Sequence, residues 1–312
     1  RRAAAERAAV CALGSYGGGI LGGDEHAFSV DVQRGATLLL STQASSKVYR
    51  TKYDGAAARL LLDATVADGA LLVVAPDPVV PFARAAYEQL QRFVLRRGGS
   101  LVYVDWIGAG RVSRGERWAF SSVSSRFELR CADEDGTAQQ PRAPALIDAV
   151  ALRGGDGAPD RLGVDLGGVR RNNMATIVAA GPRTADVGRR LHGASAALAR
   201  ARARGGRPLV HAAAEASADA FGAKWGASAG SGGALPSLAG EAHLGACDVD
   251  AAAALGPLTI GRLVAEHTDD VYRLLHHCLG PLGVELGAPP YAGRIHARAS
   301  ARAPARSDVA GT

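Results

Sequence analysis

A mainly β fold with two helices in the C-terminal half is what the sequence predicts. Three observations carry this. Short apolar runs rich in Val, Leu and Thr, bounded by Gly or Asp, follow one another from residue 28 to residue 180. Strand patterns do not alternate with helical ones, which argues against a Rossmann or TIM architecture. A 3.6-residue period surfaces only late, in residues 186–204 and 268–279.

Taken in order, residues 28–32 alternate apolar and polar, and residues 37–42 are a short apolar run. Residues 58–66 and 70–75 flank the turn Ala67-Asp68-Gly69, and residues 92–95 and 100–105 flank Arg96-Arg97-Gly98-Gly99. Pro76-Asp77-Pro78 marks a loop, because neither proline can donate a ladder hydrogen bond. Residues 118–131 read as a hairpin region, and residues 145–152, 175–180 and 257–266 as strands. In the final helix Thr268 is the expected N-cap, Asp269 and Asp270 favour the first turn, and Val271, Leu274, Leu275 and Cys278 share a face. The expected organisation is a β-rich core over residues 1–192, an Ala/Gly/Ser-rich low-complexity insertion over 193–240 with little fixed structure from about 205 on, a strand–helix part over 241–291 and a disordered tail over 292–312.

With 312 residues and 47% hydrophobic content the chain can bury one large core or two small ones. Aromatics make up only 5%, so that core rests on Val, Leu, Ile and Ala. The net charge of +6 is spread along the chain, and Lys occurs only at Lys47, Lys52 and Lys224. Scattered Arg without an aromatic stacking motif argues against nucleic-acid binding. Cys11, Cys131, Cys247 and Cys278 lie far apart, with no spacing for a zinc site or a disulfide framework, which suits a reducing, cytoplasmic setting. No apolar run approaches the ~18 residues of a membrane span. The first residue is Arg rather than Met, and residues 1–10 are basic and Ala-rich without the Ser enrichment of a transit peptide.

Three segments invite a chemical reading. The glycine run from Tyr16 to Asp24 could cradle a phosphate, which would make the chain a nucleotide-binding enzyme. It lacks Gly-Lys-Ser/Thr, however, and a strand pattern follows it, so a tight turn between strands is the plainer reading. Ser45-Ser46-Lys47 is not the S-x-x-K of a serine–lysine hydrolase. His276-His277-Cys278 has metal-ligand types, but neighbouring helical residues point in different directions.

Taken together, several segments carry a resemblance. Ser15-Tyr16-Gly17-Gly18-Gly19-Ile20-Leu21-Gly22-Gly23-Asp24 resembles the S-Y-G-G-G-[IL]-[VL]-x-G-D signature of the UreD (UreH) urease accessory proteins, their eukaryotic branch above all. Thr42-Gln43-Ala44-Ser45-Ser46-Lys47-Val48-Tyr49 is similar to the family's T-Q-A-S-T-K-V-Y. Asp105-Trp106, Gly110-Arg111 and Gly115-Glu116 with Trp118 resemble its D-W, S-G-R and S-G-E-x-W positions, and Gly287-Ala288-Pro289-Pro290-Tyr291 its C-terminal part. Ser113 and Arg114 depart from the regular S-G-E run, and Gly22 stands where Ser or Ala is usual. The family has further strands before the Gly-rich turn, whereas this chain begins almost at it.

The resemblance implies a right-handed β-helix-like solenoid of stacked short strands. It also implies a non-catalytic scaffold that binds UreF, the GTPase UreG and apo-urease, and conducts nickel, held only in transit, through a polar interior. No membrane and no nucleic acid enter this role. Asp24, Asp105 and Glu116 lie in the signature segments and are the candidate tunnel-lining residues. For each, a turn cap or a pairing with Arg (Glu116 with Arg111 or Arg114) is the structural alternative. A generic β-solenoid binding module without a metal role is the competing reading.

Overall fold

The computed structural model describes residues 8–52, 55–132, 144–154, 171–204, 210–216, 242–244 and 255–295. It is mainly β, with two long helices in the C-terminal half. Among the described residues the strands form a nine-stranded and a six-stranded sheet.

The chain passes back and forth between them. β1 (Ala8–Leu13), β3 (Thr37–Thr42), β6 (Leu71–Ala75) and β9 (Ser100–Gly108) pair in parallel in the larger sheet. β2 (Glu25–Val32), β5 (Ala58–Val66), β8 (Ala86–Arg96) and β10 (Ser122–Ala132) pair in parallel in the smaller one. The register is regular: Thr37 faces Leu71 and Leu71 faces Ser100, while Ala58 faces Tyr87 and Tyr87 faces Val123. Two short strands, β4 (Ser46–Val48) and β7 (Val79–Pro81), extend the larger sheet beside β9.

Pairing then turns antiparallel. β11 (Leu146–Arg153) follows β10, and β14 (Ala242–Leu244) follows β11. On the other sheet β12 (Asn173–Ala180), β15 (Leu258–Ala265) and β13 (Val210–Ala216) continue outward from β9. The outer face of that sheet is covered by α1 (Ala185–Ala203) and α2 (Thr268–Leu279), which bury Val187, Leu191, Val271, Leu275, Cys278 and Leu279 against Val102, Val104 and Trp106. Two single-turn helices, α3 (Gly283–Leu286) and α4 (Ala292–Ile295), follow.

Four expectations need correction. Residues 118–131 are not a hairpin: β10 is one strand lying parallel to β8, and Trp118 and Phe120 before it are buried plugs. Thr268 is the first helical residue rather than the cap. His267 holds the extended N-cap position without a side-chain hydrogen bond, and the Thr268 hydroxyl points to Asn173 Oδ1 at 3.4 Å. Within the Ala/Gly/Ser-rich stretch, residues 210–216 form β13, paired antiparallel along β15 despite the weak strand preference of Ala. Much of that stretch otherwise lies outside the described residues, as does most of residues 1–10. The tail expected to be disordered begins with α4, tied down by Arg294, which ion-pairs with Asp77 and donates to the Gln43 carbonyl at 2.6 Å.

Between the two sheets lie two apolar clusters. One centres on Phe93, Tyr103, Phe127 and Leu129, the other on Tyr87, Ile107, Trp118 and Val123. Their strands carry both clusters, so what lies between them along each strand is the informative part of the interior.

Candidate functional site

On β8 the buried positions run Tyr87, Gln89, Gln91, Phe93 and Leu95, so two glutamines interrupt an apolar face. On β10 Ser125 stands between Val123 and Phe127, and on β11 Asp148 stands between Leu146 and Leu152. In the opposite sheet one row crosses three strands: Asp105 on β9 faces Thr176 on β12, which faces Arg262 on β15. A polar belt therefore crosses the interior between two apolar layers.

Its groups bond from sheet to sheet. Gln89 Nε2 donates to Asp105 Oδ1 at 2.7 Å, and Ser125 Oγ donates to Asp105 Oδ2 at 2.6 Å. Arg262 Nη2 donates to Asp148 Oδ1 at 2.8 Å. The Tyr87 hydroxyl donates to Gln89 Oε1 at 3.2 Å. Asp148 thus has a cation, while Asp105 is held by neutral donors alone. Burial pushes the Asp105 carboxyl above its ordinary range, against the Ser125 and Gln89 hydrogen bonds that pull it down, and nearby Asp148 adds to the rise. Burial also raises the Tyr103 hydroxyl, with Asp105 and Asp148 adding to it, which sets all three groups in one electrostatic neighbourhood. Both Asp105 oxygens thus accept from neutral donors, an amide N–H and a hydroxyl, in an interior where no cation among the described residues neutralises them.

The other two candidate residues are placed differently. Asp24 closes the glycine-rich turn, its Oδ2 accepting from Leu21 N at 2.8 Å and its carbonyl from Arg59 N at 2.8 Å. Glu116 accepts from Arg111 Nε at 2.8 Å and Ala83 N at 3.2 Å, and ion-pairs with the Arg111 guanidinium a second time. The Arg111 hydrogen bond holds the Glu116 carboxyl below its usual range. Of the three, Asp105 is the one in the interior belt. Gln89, Ser125, Asp148 and Arg262 were missed in the sequence, although polar residues at the buried parity of a strand, as in Tyr87-x-Gln89-x-Gln91-x-Phe93, were the available signal.

The signature segments nevertheless converge. Tyr16–Gly18 forms one 3-10 turn, Ile20 bridges to Val48, and a turn over residues 21–24 leads into β2, so a helix N-terminus for phosphate binding does not follow the glycines. Gly19 lies under the ring of Tyr49, where a Cβ would come 2.2 Å from Tyr49 Cε2 and 2.9 Å from the Lys47 carbonyl oxygen. Tyr49 packs edge-on against Phe82 at 5.3 Å, and the Arg111 guanidinium sits 4.2 Å from the Phe82 ring centre. Gly110 is left-handed (φ 116°), with Pro81 O 3.0 Å from where a Cβ would stand. Gly115 closes the 3-10 turn Val112–Arg114 at φ 80°. Thr42 Oγ1 accepts from Asp77 N at 2.8 Å, placing the second signature against the C-terminal anchor.

The His276-His277-Cys278 run does not gather: Cys278 is in the core, its thiol pushed up to about 11 by burial, and His276 Nδ1 contacts the Pro290 carbonyl. Among the described residues no group of three or more His, Cys, Asp or Glu could hold a metal ion. Nor is any described helix long and apolar enough to cross a membrane.

A family model described as UreD urease accessory protein matches residues 1–297. The chain belongs to this family. Similar proteins carry the same description. A urease accessory protein UreD of Anaeromyxobacter sp. (strain Fw109-5) is 46% identical over 180 residues, covering 57% of this chain and 54% of that protein. One from Sorangium cellulosum is 45% identical over 175 residues, covering 56% and 50%. Urease accessory protein D of Arabidopsis thaliana is 37% identical over 138 residues, 44% of either chain. The chain spans about half the length of the curated relatives it matches. The matched range contains the glycine-rich turn, the Tyr49 segment and the Arg111–Glu116 pair, with Gly19 under the Tyr49 ring and both Tyr49 and Arg111 against Phe82.

Proposed function

We propose that this chain is a non-catalytic scaffold of urease maturation that joins UreF, UreG and apo-urease in the cytoplasm and lets nickel pass through its interior. The observation that carries the reading is the polar belt, where the carboxylate of Asp105 is held between two sheets by Gln89 and Ser125 rather than by a cation. A fully apolar interior would be more stable, since burying a carboxyl without a counter-charge is costly. A route for a divalent cation explains why that cost is retained. Nickel is the cargo, and weak oxygen donors suit a conduit because they exchange readily.

The parallel registers of β2, β5, β8 and β10 and of β1, β3, β6 and β9 support a β-solenoid, each coil contributing one strand to each sheet. A solenoid places equivalent positions of successive coils in line, which is how one polar level is extended across many strands.

Co-expression with the UreF and UreG homologues of the same organism, followed by affinity purification and size exclusion, tests the scaffold role. A ternary complex that needs all three proteins is expected. A lone monomer that ignores UreF, beside UreF and UreG that assemble without it, would contradict the reading.

A further inference from the structure

Tyr49, Arg50, Phe82, Ala83, Arg84, Arg111 and Glu116 line a surface cleft of about 270 Å³. Three arginines and one glutamate line it, and the Glu116 carboxylate is committed to Arg111. Arg50 and Arg84 are exposed and lie within ion-pair distance of no carboxylate among the described residues. Arg84 also holds a left-handed backbone (φ 62°), a conformation that a non-glycine residue adopts at a cost. Its backbone is fixed from both sides, Arg84 N donating to Ala119 O at 2.8 Å and Thr51 N to Arg84 O at 3.1 Å.

The backbone narrows the choice of ligand. Guanidinium groups bind phosphate as well as carboxylate, but a built phosphate site commonly adds free amide N–H groups. Here the amides of Phe82, Ala83, Arg84 and Ala85 are all engaged, by Val48 O, Glu116 Oε2, Ala119 O and Phe82 O respectively. What the cleft offers is side-chain guanidinium beside the Tyr49 and Phe82 rings. That combination suits a carboxylate flanked by an apolar or aromatic side chain.

We infer that this cleft is a docking site for an acidic peptide segment of a partner protein, its Asp or Glu carboxylate bridging Arg50 and Arg84 and a neighbouring apolar side chain resting on Phe82. The site is independent of the nickel route: it lies outside the belt and shares none of its residues.

The full chain, purified alone or with whatever partner keeps it in solution, is titrated against a fluorescein-labelled Phe-Glu-Asp-Phe-Glu-Asp peptide, read by anisotropy. The comparison peptide is Phe-Gln-Asn-Phe-Gln-Asn. Preferential binding of the acidic peptide is expected, weakened roughly tenfold by Arg84→Gly and further by adding Arg50→Ala, as loss of a charge-assisted contact predicts. Arg84→Gly suits the left-handed backbone and so removes the guanidinium without disturbing the fold. Equal binding of both peptides, or acidic-peptide binding that neither variant weakens, overturns the proposal. So does displacement of the peptide by inorganic phosphate at equal concentration, which would mark a phosphate site. The assay contains neither nickel nor urease, so its failure would leave the scaffold reading standing.

Discussion

Gln89 Nε2 on one sheet donates to Asp105 Oδ1 on the other across 2.7 Å, and this bond joins the two walls of the interior at the level where apolar packing stops. Asp105 stands on the inward face of β9 between Tyr103 and Ile107, and Gln89 on that of β8 between Tyr87 and Gln91. Removing Asp105 leaves Gln89 without its cross-sheet partner, whereas removing Gln89 leaves Asp105 joined to the smaller sheet by Ser125 alone.

Asp105 gives the first prediction. Its carboxyl is raised by burial, so the folded chain holds the proton more tightly than the unfolded chain does. The resulting stabilisation is full below the ordinary carboxylate pKa and is lost as pH rises through the raised folded value. Asp105→Asn removes this dependence and keeps an acceptor for Gln89. Urea midpoints measured from about pH 4 to pH 8 should therefore show the wild type losing ground to the variant as pH rises. A difference that stays flat would show that Asp105 is charged and well solvated.

Glu116 has the opposite sign. Its carboxyl is lowered by the Arg111 hydrogen bond, so its contribution is present above the ordinary pKa and lost as pH falls through the lowered folded value. Glu116→Gln should be less stable than wild type at neutral pH and converge with it in acid. Parallel acid-denaturation curves for the two proteins would refute this.

Gly19→Ala places a methyl against the Tyr49 ring and the Lys47 carbonyl. The expected cost is about 1–3 kcal/mol of overpacking. Tyr49→Ala in the same chain should recover part of it, and a double variant with strictly additive losses would exclude the contact as the cause.

Asp77 tests the C-terminal anchor. It is buried and takes hydrogen bonds from the Tyr272 hydroxyl at 2.7 Å and from Arg294. Asp77→Ala should cost about 1–3 kcal/mol, tempered by the exposure of Arg294. It should also free α4, seen as faster amide exchange around Arg294. Unchanged exchange there would mean that the Tyr291 hydroxyl on the Pro76 carbonyl at 2.8 Å and Arg294 on the Gln43 carbonyl hold the segment without Asp77.

Much of this fold was legible because strands announce themselves locally. The bounds Thr37–Thr42 and Ala58–Val66 follow from Gly- and Asp-delimited apolar runs, and α2 from the spacing of Val271, Leu275 and Cys278. Pairing was not legible: nothing near Ser122 says that β10 lies beside β8 rather than folding into a hairpin, because parallel neighbours are distant in sequence. The belt was half legible. Asp105 stood out beside Trp106 in a signature segment, whereas Asp148 and Arg262 sit in unremarkable strands and become partners only when the two sheets face each other. For Glu116, offered as a tunnel-lining candidate with an arginine pairing as the alternative, that pairing was legible for a local reason, since Arg111 is five residues away.

The most direct test of the central claim is the nickel content of urease matured in cells that depend on this chain, comparing wild type with Asp105→Ala and Asp105→Asn. The account predicts that both variants still co-purify with UreF and UreG, that urease from the Asp105→Ala cells is depleted of nickel and activity by roughly tenfold or more, and that Asp105→Asn is intermediate, because its amide oxygen remains a weaker donor. Fully nickel-loaded urease from Asp105→Ala cells, with the complex intact, would contradict a route through the belt.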